Sequence, residues 1–144
     1  MNWDIYFMGM AEYISTKSKD PNTKVGAVIV GPDKEIRSTG YNGMPRGVLE
    51  HLNPERYERP EKYFWIEHAE RNAIYNAARM GISLKGCTLY HTPMFPCSDC
   101  CRGIIQVGIV EVVSPDMILD DKWGQEALRS KQMFKEAGIK VRYI

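Results

Sequence analysis

The chain has 144 residues, 44% of them hydrophobic, and its 19 Lys and Arg nearly balance its 18 Asp and Glu for a net charge of +1. That length predicts one domain with a real core and no room for a second catalytic module. No apolar run is long enough to span a bilayer, Met1-Asn2-Trp3-Asp4-Ile5-Tyr6 lacks the basic and apolar segments of a signal peptide, and the basic excess typical of nucleic-acid binders is missing.

Trp3 to about Lys19 reads as an amphipathic helix carrying Ile5, Met8, Ala11, Tyr13 and Ile14, and Asp20-Pro21-Asn22 breaks it. Val25 to Val30 is almost wholly apolar, the pattern of a strand buried on both faces. Gly31-Pro32-Asp33-Lys34 predicts a turn and Glu35 to Tyr41 a second strand, so the two strands form a hairpin. From Asn42-Gly43 to about Trp65 the chain is charged and carries Pro45, Pro54 and Pro60. That predicts a long loop, which inside a compact domain is more often functional than idle. The Ala-rich stretch from His68 to Met80 predicts a helix with His68 in its first turn, and Cys87 to His91 a strand. Cys97 to about Val107 reads as a helix capped by Gly108, and Ile109 to Val113 as a strand. Trp123 to about Ala137 is a last helix closed by Gly138, and Ile139 to Ile144 a last strand. Strands alternating with helices after an initial hairpin predict an α/β layer sandwich with parallel crossovers.

Two short segments carry the chemistry: His68-Ala69-Glu70 and Pro96-Cys97-Ser98-Asp99-Cys100. His68, Cys97 and Cys100 supply three zinc ligands, and a catalytic zinc uses three protein ligands where a structural one uses four. Cys97 and Cys100 stand at i and i+3, on one face of a helix whose start Pro96 favours. Thiolates there also gain from free amides and the positive end of the helix dipole. Zinc lowers the pKa of a bound water towards neutrality, and a carboxylate held beside it moves protons. Glu70 is assigned that shuttle role and is not a ligand. Glu67 reads as a charge near a helix start. A buried thiol pair, a redox pair or half of a structural zinc knuckle are the plainer readings of the two cysteines. The knuckle needs a fourth ligand. Cys101 points about 100° away around the helix, Cys87 reads as a buried strand residue, and His51 and His91 have no partner at ligand spacing. Metal-type cysteine spacing without an export signal predicts a reducing, cytoplasmic setting.

The order H-x-E then P-C-x-x-C is the signature of zinc-dependent nucleobase deaminases. The runs Ser18 to Ala27 (SKDPNTKVGA), Gly40 to Gly47 (GYNGMPRG), His68 to Ile74, Leu84 to Tyr90, Pro96 to Cys100 and Ile104 to Ile109 together resemble the deoxycytidylate (dCMP) deaminase family of the cytidine deaminase superfamily. The zinc motif alone points to the superfamily, whereas the first two runs are more specific to the deoxycytidylate branch. The resemblance implies a three-layer α/β/α sandwich around a five-stranded mixed sheet, one zinc per subunit, and conversion of dCMP to dUMP with release of ammonia. It implies that Asn42, with Ala69 beside His68, contacts the nucleotide. Phosphate recognition is carried onto Asn22, Thr23 and Lys24, since a lysine with neighbouring amides suits a monophosphate. Tyr41, Trp65 and Phe95 are candidates to stack on the pyrimidine, though packing is the commoner role for such aromatics.

Relatives with a longer segment before His-Ala-Glu hold a second, structural zinc there. Met44 to Trp65 has one histidine and no cysteine here, so a single zinc is expected. Effector control by dCTP and dTTP occurs in the family, which makes Gly43 and Arg46 candidate effector contacts, and relatives form dimers or hexamers. A small nucleotide partner and a homo-oligomer are therefore expected, with neither membrane nor nucleic acid. The competing readings are a tRNA adenosine deaminase, which needs basic surface for the RNA backbone, a riboflavin-pathway deaminase, whose usual reductase partner domain is missing, and a zinc-stabilised interaction module, which would make Glu70 dispensable.

Overall fold

The computed structural model describes residues 1–116 and 121–144. Helix α1 (Trp3–Ser15) opens on Asn2, whose side chain accepts the Ile5 N–H at 2.9 Å. It ends four residues before the predicted stop. The hydroxyls of Ser15 and Thr16 turn back onto the carbonyls of Glu12 and Tyr13, both at 2.6 Å, and compete with continued helix. Strands β1 (Gly26–Val30) and β2 (Ile36–Tyr41) form the expected antiparallel hairpin.

The segment read as one long loop holds two 3-10 turns, Glu50–Leu52 and Pro54–Tyr57, and a single helical turn, α2 (Lys62–Trp65). Pro54 starts the second of these turns, where its missing N–H costs nothing. Helix α3 (Ala69–Met80), strand β3 (Thr88–Thr92), helix α4 (Ser98–Gln106), strand β4 (Glu111–Ser114), helix α5 (Asp121–Glu136) and strand β5 (Lys140–Tyr143) follow.

The sheet runs β2-β1-β3-β4-β5. β1 pairs antiparallel with both β2 and β3, while β3, β4 and β5 are mutually parallel. This is the five-stranded mixed sheet and α/β/α layering that the resemblance implied. All of β1 is buried, as its composition predicted. Val28 and Val30 meet Phe7, Met8 and Ala11 of α1, together with Tyr90 and Val113. Ala27 and Ile29 face the opposite layer, with Ala73, Ile104 and Phe134 from α3, α4 and α5. Two glycines let the layers close. A Cβ on Gly26 would strike the Ala11 carbonyl of α1, and one on Gly40 would strike the backbone of Ala69 and Ala73. The second approach sets the start of α3 directly against β2. Among the described residues, no helix is long and apolar enough to cross a membrane.

Candidate active site

The site is built from two helix starts on the same side of the sheet. His68 is the N-cap of α3 and Cys97 the N-cap of α4, both with extended backbone, so each lies one residue outside the helix that the sequence reading put it in. Pro96 consequently precedes the cap. The Cys97 sulfur accepts the Cys100 N–H at 3.4 Å, and Glu126 of α5 accepts both the N–H (2.9 Å) and the hydroxyl (2.6 Å) of Ser98. These bonds satisfy amides that the first turn of α4 leaves free and tie that turn to α5.

Nδ1 of His68 lies 3.4 Å from the Cys97 sulfur and 3.3 Å from the Cys100 sulfur. All three donor atoms fall within 4.8 Å of one another, and no other such cluster of three occurs among the described residues. Bonds of roughly 2.0 Å to nitrogen and 2.3 Å to sulfur at a tetrahedral angle would put N and S about 3.5 Å apart. The trio therefore fits a tetrahedral zinc with one corner left for a non-protein ligand. Within the trio, negative charge settles first on Cys97. The hydrogen bond from Cys100, joined by His68, brings the Cys97 pKa down to about 5 against the opposing effect of burial. Cys100 moves well up, because its partner holds the charge and because it is buried. None of the alternative fourth ligands joins the cluster: the Cys101 thiol bonds the Ser130 carbonyl at 3.4 Å, Cys87 is buried, His51 is exposed, and His91 lies beside Glu70 and outside the trio.

Glu70, 4% exposed, projects from the first turn of α3 beside this trio. Its Oε2 lies 3.2 Å from the Cys100 sulfur and its Oε1 3.6 Å from Nδ1 of His91. Glu67 accepts the His68 N–H at 3.0 Å and the Arg71 Nε at 2.7 Å, a supporting position in keeping with a charge near the helix start.

His68, Ala69, Glu70 and Cys97 line a cavity of about 320 Å3, within the range of small-ligand sites. Thr23, Asn42 and Phe95 also line it; Asn22, Lys24, Tyr41, Trp65, Gly43 and Arg46 do not. The Asn42 amide accepts the Val25 N–H at 2.8 Å and donates to the Thr23 carbonyl at 2.9 Å. One N–H and one lone pair remain for a ligand. Trp65 is covered by the Arg56 guanidinium at 3.7 Å. Gly43 exchanges backbone hydrogen bonds with Glu67, and Arg46 donates to the side-chain amide oxygen of Asn76 at 2.6 Å.

A family model described as the cytidine and deoxycytidylate deaminase zinc-binding region matches residues 1–115. The chain belongs to that family. It is 38% identical over 148 residues to a deoxycytidylate deaminase from Homo sapiens, covering 99% of this chain and 79% of the relative. It is 41% identical over 144 residues to an uncharacterized deaminase in the luxG 3' region of Aliivibrio fischeri, covering 99% of this chain and 93% of that one. A crystal structure of a dCMP deaminase from the cyanophage S-TIM5, in complex with dCMP and dUMP, superposes with a TM-score of 0.76 at 27% identity, covering 100% of this chain and 99% of that chain.

Within this deaminase cavity the sequence reading passed over three cations, Arg59, Lys62 and Arg71, and the aromatic Tyr63. Lys62 is buried against Asp20 at 3.0 Å, and Asp20 also accepts the N–H groups of Asn22 and Thr23. Burial pushes the Asp20 carboxyl up, but those amides and Lys62 together hold its pKa below the ordinary value. Arg71 is taken by Glu67 at 2.5 Å and Asp99 at 3.7 Å. Arg59 makes no ion pair among the described residues. Its position in a charged, proline-rich stretch gave no periodic signal to find it by.

Proposed function

We propose that residues 1–144 act as one zinc-dependent deaminase domain that hydrolyses dCMP to dUMP and ammonia. The observation that carries this reading is the convergence of Nδ1 of His68 and the sulfurs of Cys97 and Cys100 beside a buried, unligated carboxylate, at the floor of a cavity sized for a small ligand. Zinc held by these three residues supplies the Lewis acidity that makes water a nucleophile near neutral pH. Glu70 takes a proton from the attacking water and delivers it to N3 of the pyrimidine as C4 is attacked, then carries the proton of the new C4 hydroxyl to the amine, which leaves as ammonia when the C4–N bond breaks. Phe95 offers a face to the ring, and the free N–H and lone pair of Asn42 serve the sugar or base edge, next to Ala69.

Phosphate recognition is assigned to Thr23 and to Arg59, the cavity cation without an ion pair among the described residues, with Asn22 and Lys24, on the same loop as Thr23, just outside the cavity. The nearly neutral chain, without the basic excess that an RNA backbone calls for, favours a free nucleotide over a base held in RNA. Gly43 and Arg46 remain the candidate contacts for dCTP or dTTP. The exposed Ile5, Tyr6 and Tyr13 of α1 and Ile36 of β2 support a homo-oligomer, and the cytoplasm is the compartment that suits free zinc-ligating thiols.

The decisive experiment replaces Glu70 by Gln, which keeps the shape but cannot cycle a proton. Zinc content and thermal unfolding should be retained, and ammonia release from dCMP should fall by roughly 100- to 10,000-fold. Near-normal turnover would remove the shuttle role and with it the reaction proposed.

A further inference from the structure

His91 sits at the end of β3 with none of its surface exposed, and neither ring nitrogen makes a hydrogen bond of good geometry, although the Met94 backbone lies near enough to favour a ring N–H. Leu89, two residues earlier, packs in the layer of α3, α4 and α5, so strand alternation turns His91 towards that same layer. There it stands behind the active site: it does not line the cavity, and Phe95, which does, lies edge-on to it at 6.4 Å. A leucine would fill this place with no polar atom to satisfy. Fully buried polar groups are nearly always paired, so an imidazole with the Met94 backbone near one nitrogen at most has a further partner to gain.

The nearest charged group is that partner. Nδ1 of His91 is 3.6 Å from Oε1 of Glu70, just beyond a normal hydrogen bond. Catalytic hydrogen bonds are often long in the absence of substrate and shorten when it binds. Burial holds the His91 pKa down, so the ring is neutral and carries one N–H. The other oxygen of Glu70, Oε2, now faces the Cys100 sulfur at 3.2 Å. A deprotonated, metal-ligating Cys100 has no proton to donate, so Oε2 is then released towards the cavity while Oε1 still needs a donor.

We propose that His91 is a positioning residue that donates its Nδ1–H to Oε1 of Glu70, fixing the carboxylate plane so that Oε2 points at water and substrate. This rests on the shuttle role of Glu70 proposed above. Because His91 acts through Glu70 and touches no substrate, it should affect turnover and leave substrate binding alone.

The test uses the zinc-loaded protein with dCMP and compares His91→Leu, which fills the space without a donor, with His91→Gln, which restores one. His91→Leu should lower kcat by roughly 10- to 100-fold, the usual effect of removing a group that orients an active-site ligand. KM should stay within about twofold of wild type and zinc content should not change. His91→Gln should recover most of the loss. In the zinc-free wild-type protein, imidazole 15N spectra should show the Nδ1–H tautomer, with a resonance that moves in Glu70→Ala. The inference is overturned by a His91→Leu kcat within about twofold of wild type, by loss of zinc or of dCMP affinity in parallel with kcat, by a folded His91→Gln without recovery, or by an Nε2–H tautomer. If Glu70→Gln is inactive while His91→Leu is active, only this inference fails. If both are active, the shuttle reading fails first.

Discussion

On the α1 side of the sheet, Asp4, Tyr90, Arg142 and Glu111 satisfy one another. Asp4 takes two bonds from the Arg142 guanidinium, at 2.8 and 2.9 Å, and the Tyr90 hydroxyl at 2.7 Å, and Glu111 takes Arg142 from the other side at 3.0 Å. On the side of α3, α4 and α5 the polar groups are left short. His91 and Ser130 are buried there with unpaired side-chain atoms, as is Ser114, which alternation puts on the same face as Val112. The three sulfur and nitrogen donors of the site converge there, all within 4.8 Å of one another. A closed polar network holds its own geometry and contributes stability, whereas an open one holds groups ready for a partner that arrives later. The first side is therefore structural, and the second is where chemistry is available.

Removing one ligand from the open side should have the largest effect. Cys100→Ala leaves two donors where three are needed, so zinc measured by metal analysis should fall from about one per subunit to near zero, and ammonia release should vanish with it. Chelation of the wild-type protein should do the same, and added zinc should restore only the wild type. If Cys100→Ala kept its metal and its activity, the trio would not be the centre and the contrast between the two sides would lose its basis.

How much of this was legible in the sequence depended on whether a residue works through local spacing or through distant packing. His68, Glu70, Cys97 and Cys100 lie in two tight motifs, so ligand chemistry and the count of three were enough to pick them out, and the structure brings the three donors together beside Glu70. The same reading put His68 and Cys97 inside their helices, when both are extended caps. Spacing reports which side chains meet, but not the φ and ψ of the residue at a helix boundary. β1 was legible because a wholly apolar run that short, followed by a turn, fits a strand buried on both faces. Lys62 and Arg59 were not, since Lys62 reaches Asp20 across 42 positions of chain and no local pattern encodes that bond. His91 lay between these cases. It had no neighbour at ligand spacing, yet the alternation of Leu89, Tyr90 and His91 already put it on the face of the zinc motif once the strand was drawn.

The phosphate assignment sharpens the comparison at an intermediate scale. If the open side binds the nucleotide, Arg59, the cavity cation without an ion pair among the described residues, should count for more than a cation outside the cavity. Arg59→Ala should raise KM for dCMP by roughly 10- to 100-fold, matching about 1.5–3 kcal/mol for a charge-assisted hydrogen bond, and should scarcely change deoxycytidine. Lys24→Ala should act in the same direction with a smaller change, because Lys24 is exposed and does not line the cavity. The reverse order would move phosphate recognition onto the loop before β1. Equal effects on nucleotide and nucleoside would show that neither residue reads the phosphate.

The smallest effect belongs to the closed side. The Arg142 hydrogen bonds, opposed by burial and aided by Tyr90, lower the Asp4 pKa from 3.8 to about 2. A carboxylate with a depressed folded-state pKa stabilises the fold above its unfolded pKa, and that contribution fades as pH falls through the folded value. Asp4 should thus contribute fully above about pH 4 and lose its contribution towards pH 2. The shift corresponds to about 2 kcal/mol, reduced to roughly 1 kcal/mol by solvent screening, since the side chains of Asp4 and Arg142 are 29% and 30% exposed. Arg142 keeps Glu111 when Asp4 is neutralised, so no guanidinium is stranded. Urea unfolding of Asp4→Asn should therefore show a deficit of about 1 kcal/mol at pH 7 that narrows to almost nothing near pH 2, while kcat on dCMP at neutral pH stays at the wild-type value. A deficit of the same size at both pH values would mean that packing and not charge holds the closed side together. A fall in kcat with the fold intact would mean that the two sides of the sheet are coupled, and that the division between a structural side and a chemical side is wrong.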